Sequence, residues 1–140
     1  MKFSDIEEQE WEELQPYLDT CLLPITGLDG SEQPYEVTAG LEQLRDLLDL
    51  VEIPYKGRVV TYPAYHYVDF SEQSLTLISN VCQNLKVAGF KYIILATTKA
   101  EHALDVCEAD IVLTLKEDGA LPSSSEVAEE IQLLWNRSST

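Results

Sequence analysis

The sequence predicts a three-layer α/β/α sandwich of Rossmann-like type, built on a four-stranded, mainly parallel sheet. Three observations carry this. Lys91–Thr98 (KYIILATT) holds an apolar run, Tyr92 to Leu95, with no polar alternation, the mark of a strand buried on both faces. Strand-like and helix-like segments alternate four times along the chain, which implies crossover connections and parallel pairing. The helical segments are amphipathic, so each has one face to lay on the sheet.

Taken in order, Ser4–Gln15 reads as a helix opened by a Ser4/Glu7 capping box, with Phe3, Ile6, Trp11, Leu14 and Leu18 on one face and glutamates on the other. Pro16 ends it. Thr20–Thr26 (TCLLPIT) is the first strand, with Pro24 near its end, where a missing N–H costs least. Pro34 suits a first helical position, and Val37, Leu41, Leu44, Leu48 and Val51 then recur at helical spacing until Pro54. Arg58–Tyr62 is the second strand, and Ala64–Phe70 (AYHYVDF) an aromatic loop. Asp69, with Glu72 three residues on, can cap a helix over Ser71–Ala88 that buries Leu75, Ile78, Val81, Cys82 and Leu85 and ends at Gly89. After the Lys91 strand come a short helix over Lys99–Cys107 and a fourth strand, Asp110–Leu115. A last helix is capped by Ser123 with Glu126 and carries Val127, Ile131, Leu134 and Trp135 inward; Arg137–Thr140 should fray. The expected strand order is 2-1-3-4, which puts the first strand beside the Lys91 strand at the centre.

Length and composition fit one domain spanning residues 1–140, enough chain to bury roughly 70% of its unfolded surface. The acidic N-terminal segment does not read as a targeting signal, and no apolar run approaches the ~20 residues of a membrane span, so the expected setting is cytoplasmic, without membrane insertion. The chain has 25 acidic and 9 basic residues, a net charge of -16. That balance repels phosphate backbones and argues against nucleic acid. It serves solubility, or it offers an acidic face to a basic protein partner. Cys21, Cys82 and Cys107 are widely spaced and form no CxxC, so they read as reduced thiols rather than a metal or disulfide framework.

Ligands of open α/β sheets bind beyond the carboxyl ends of the strands, where the strand order reverses. That rim would comprise Thr26–Gln33, Tyr62–Asp69, Thr97–His102 and Lys116–Gly119. His66, Asp69, His102 and Asp29 fall on it as candidate metal or acid–base groups, although no HxH or HExxH spacing joins them. A bland reading stands beside this one, with His66 packed among tyrosines and His102 solvated. The loop Thr26-Gly27-Leu28-Asp29-Gly30-Ser31 has two glycines before a helix but neither phosphate-binding spacing nor an internal Lys or Arg, and it reads as a tight turn. No motif calls for a cofactor, and no GxSxG elbow occurs. The cluster Tyr62, Tyr65, His66, Tyr67 and Phe70 is either a recognition loop or a loop folded on the sheet edge with its own small core.

The stretches DTCLLP (Asp19–Pro24), YKGRVV (Tyr55–Val60) followed by Tyr62-Pro63, and GFKY (Gly89–Tyr92) resemble the YpiF-like family of uncharacterised bacterial proteins. The resemblance implies no assigned activity, cofactor or catalytic residue. It implies at most a cytoplasmic accessory role, since members are thought to be encoded near genes for a respiratory quinol–cytochrome c reductase. Two functions therefore stand as expectations: a non-enzymatic protein-interaction domain, and a small-molecule- or metal-binding enzyme using the rim.

Overall fold

The computed structural model describes residues 1–67, 70–99 and 108–137. Four strands, β1 (Thr20–Pro24), β2 (Val59–Thr61), β3 (Tyr92–Ala96) and β4 (Ile111–Leu113), pair in parallel in the order β2-β1-β3-β4. The central pair runs in full register from Thr20 opposite Tyr92 to Pro24 opposite Ala96. Every residue of β1 and of β3 is buried, as their unbroken apolar runs require.

Pleating sorts these residues into two cores. Cys21, Leu23, Ile25, Val60, Ile93 and Leu95 face one layer, where Ile78, Cys82 and Leu85 of α3 (Glu72–Ala88) meet them. Trp11 and Leu14 of α1 (Glu8–Leu14) pack on the same core. On the opposite face, Leu22, Val59, Tyr92, Ile94, Ala96 and Leu113 meet Leu44, Leu47 and Val51 of α2 (Pro34–Glu52). Val127, Ile131, Leu134 and Trp135 of α4 (Ser124–Arg137) complete that layer. Each fully buried Leu or Ile contributes on the order of 1.5–3 kcal/mol through removal from water.

Several elements differ from the sequence reading. The first helix is broken: Phe3–Asp5 is a single 3-10 turn, Ile6 and Glu7 are extended, and α1 begins only at Glu8. Ser4 caps nothing here; the carboxylate of Asp5 accepts instead from the amide of Lys2 at 2.9 Å. The break lets Met1 and Lys2 lie along the outer edge of β2, where the amide of Thr61 donates to the carbonyl of Met1 at 2.7 Å. Met1, Ile6, Trp11 and Leu14 all pack against the core that holds Val60. Ser71 caps α3, its hydroxyl accepting from the Ser74 amide at 3.3 Å; Asp69 lies outside the described residues. Gly89 ends α3 at φ 126°, a conformation suited to glycine. In α2 the buried stripe is Leu44, Leu47 and Val51, while Leu41 is exposed. The expected helix over Lys99–Cys107 falls, beyond Lys99, outside the described residues, and so does Cys107.

A clamp across the amino ends of β1 and β2 fixes the sheet to α4. The guanidinium of Arg58 donates to both carboxylate oxygens of Asp19, at 3.0 and 3.2 Å, and stacks 3.9 Å from the Trp135 ring. The Trp135 indole donates to the Thr20 hydroxyl at 3.0 Å, and that hydroxyl donates to Asp19 at 3.0 Å. The aspartate and arginine of DTCLLP and YKGRVV therefore serve the fold.

Candidate functional site

The carboxyl rim is tied together by backbone and hydroxyl bonds. Pro24 accepts from the Tyr65 amide at 2.8 Å, and the amide of Thr26 donates to the Tyr65 carbonyl at 3.0 Å, which pins the aromatic loop beside β1. The buried Thr26 hydroxyl lies 3.4 Å from Nδ1 of His66. Across the rim, the buried Thr97 hydroxyl accepts from the Lys99 amide at 3.3 Å. The Lys99 side chain then lies over Gly27, so close that a Cβ there would collide with it. Thus the switch point between β1 and β3 brings together Thr26, Gly27, His66, Thr97 and Lys99. Lys99, a cation from the segment that follows β3, is remote in sequence from the glycine loop it covers.

Of the four residues proposed from sequence as metal or acid–base groups, Asp29 and His66 are among the described residues, and each makes its own separate contacts. Asp29 is fully exposed, and its carboxylate accepts from the Ser31 hydroxyl and amide, which holds it below the usual carboxylate range. His66 is exposed and contacts Thr26 and the Tyr67 ring rather than a carboxylate. Asp69 and His102 lie outside the described residues. Among the described residues, no three His, Cys, Asp or Glu side chains converge as a metal site. The glycine loop is no phosphate cradle either, because its amides are already engaged: Asp29 and Gly30 donate to Glu32, each with a contact of 3.0 Å, and Ser31 donates to Asp29. Burial pushes the Cys21 thiol far up, and moves Cys82 from 9.0 to about 11, so neither supplies a thiolate near neutral pH.

The aromatic cluster splits in two. Tyr62, Tyr65 and Phe70 pack against the core beneath α3, leaving His66 and Tyr67 outward, Tyr67 at φ 54° and 73% exposed. Tyr62 continues into a second aromatic chain. It meets Phe90 edge-on at 5.2 Å and Phe3 at 6.4 Å, and Phe90 meets Trp11 at 6.0 Å. These rings, with Ile6 and Val60, line an open groove of about 280 Å³ whose remaining lining residues are Glu7 and Glu8. Glu10, Glu12 and Glu13 stand exposed on the adjoining helix. The sequence pattern placed Phe3, Ile6 and Trp11 on one face and read it as a simple cover. The break at Ile6–Glu7 turns that cover into a walled groove.

A four-stranded parallel sheet flanked by helices places the chain among small Rossmann-like α/β/α proteins. Residues 9–113, three quarters of the chain, match the model of the DUF2487 family, described as a protein of unknown function. The chain belongs to that family. No curated protein and no solved structure matches it. Among the described residues, no helix is long and apolar enough to cross a membrane.

Proposed function

We propose that this chain is a cytoplasmic, non-catalytic interaction domain of YpiF-like type, whose groove along α1 receives a basic, amphipathic segment of a protein partner. The observation that carries this reading is the pairing of an aromatic-walled groove with a glutamate rim, in a chain of net charge -16. Phe3, 48% exposed, stands ready to be covered. Apolar anchors in a desolvated groove supply affinity, while complementary charge steers the encounter and selects the sign of the partner. The acidic rim therefore favours lysine- or arginine-bearing segments with one bulky apolar side chain among them.

Calorimetry with a synthetic Lys/Leu amphipathic peptide, and a Glu/Leu peptide as control, tests this. The Lys/Leu peptide should bind one site at physiological salt. Phe3→Ala should weaken it about tenfold, the value of one apolar anchor. Replacing Glu129 and Glu130, exposed on the distant α4, with Gln should leave affinity nearly unchanged. Binding that ignores Phe3→Ala and follows total charge alone would overturn the reading.

A further inference from the structure

A second groove, of about 260 Å³, opens beside the first at the carboxyl end of β2. Its helix wall is the stripe Leu41, Leu44, Arg45 and Leu48 of α2, and its opposite wall includes Pro24, Pro63 and Phe3. Thr61 reaches it from the last position of β2, and Lys2 from the neighbouring edge segment. Three facts about this lining bear on an occupant. Thr61 is 6% exposed, and its Oγ1 is buried with no hydrogen-bond partner among the described residues. A buried hydroxyl left unpaired is uncommon and calls for an explanation. The groove also holds two cations, Lys2 and Arg45, in a chain with only nine. Among the described residues, Arg45 makes an exposed contact to the adjacent Asp46 at 3.6 Å, a pair too screened to fix it.

We propose that this groove binds a small aliphatic carboxylate. The tail lies along Leu41, Leu44, Leu48 and the two prolines, and the carboxylate sits between Lys2 and Arg45. Rotation of Thr61 about χ1 to a staggered position that faces the groove lets its hydroxyl donate to a carboxylate oxygen. A small, mostly apolar cleft with a few convergent polar groups is the usual form of a small-molecule site, and arginine is the side chain best shaped for a carboxylate. The site adjoins the peptide groove through Phe3 and Tyr62, but its charged lining is basic where that of the other is acidic.

The test is an amide-resolved NMR titration of the full chain with hexanoate, with hexanol and hexylammonium as parallel probes. Hexanoate should move the amides of Thr61 and of Leu41–Leu48 and saturate with a Kd on the order of 1 mM, within reach of so small a ligand. Hexanol should bind about tenfold more weakly, and hexylammonium not at all. Arg45→Gln should weaken hexanoate about tenfold, and Thr61→Val about fivefold, with otherwise unchanged spectra. Shifts that never saturate, shifts centred elsewhere, equal binding of hexanol, or wild-type affinity in both variants would overturn the proposal. Since Arg45 and Thr61 do not line the peptide groove, failure here would leave the interaction reading standing.

Discussion

Thr61→Val should make the protein more stable, an unusual outcome for a change in a central layer. Thr61 is 6% exposed and its Oγ1 has no partner among the described residues, so the substitution breaks no hydrogen bond there. The new methyl nearly matches the hydroxyl in volume, so no cavity opens. A hydroxyl buried without compensation costs about 1–3 kcal/mol in proteins, and valine suits a strand at least as well as threonine. Allowing for the strand-end position, where some relaxation is available, the expected gain is about 1 kcal/mol, equivalent to a rise of about 3 °C in Tm for a chain of this size. Urea unfolding followed by circular dichroism measures it: the midpoint should rise with the slope unchanged. A midpoint below that of the wild type would refute the reasoning, because it would mean that the hydroxyl has a partner in solution. The same variant should bind hexanoate less well, so stability and binding should move in opposite directions.

Other consequences follow from the same contacts. Arg58→Lys keeps the charge but loses the fork to Asp19 and the stacking on Trp135, and should cost about 1–2 kcal/mol in the same urea assay; an unchanged midpoint would show the clamp to be ornamental. Gly27→Ala forces an L residue to φ 70° and drives a methyl into Lys99, so it should cost about 1–2 kcal/mol, and adding Lys99→Gly should recover part of the loss in a double-mutant cycle. Burial raises the Cys82 thiol from 9.0 to about 11, so the folded state holds a proton that the unfolded chain releases first; stability from this group is present below about pH 9 and is lost as pH rises toward 11. In a Cys107→Ser background, alkylation of Cys82 read by mass spectrometry should stay slow at pH 8, and rapid labelling there would contradict its burial.

Periodicity made the architecture legible. Tyr92–Leu95 could only be a doubly covered strand, and the helical repeats of Leu44, Val51, Ile78, Leu85 and Ile131 supplied the layers above and below it. The order β2-β1-β3-β4 followed, because four crossover-linked strands leave few alternatives. The sites were far less legible, for reasons that are spatial. The segment Ser4–Gln15 has good helical spacing, but the pull of the β2 edge on Met1 and Lys2 interrupts it at Ile6–Glu7, and only that interruption creates the groove. In sequence the aromatic cluster read equally as a recognition loop or as a loop folded on the sheet edge, and the bridge between Ile25 and Tyr65 turns part of it inward and leaves Tyr67 outside. Lys99 meets Gly27, and Arg58 meets Asp19 and Trp135, across separations that no local pattern encodes. An unpaired hydroxyl such as that of Thr61 has no sequence signature at all.

The emission of Trp11 during a Lys/Leu peptide titration tests the interaction reading most directly, because Trp11 lines the groove while Trp135 is buried under Arg58. Raising the salt should weaken the affinity, yet at saturation Trp11 should still shift to the blue as its ring leaves water, and Trp11→Phe should abolish the shift. Saturable peptide binding that leaves Trp11 emission untouched would mean that the glutamates attract the peptide but the groove does not hold it.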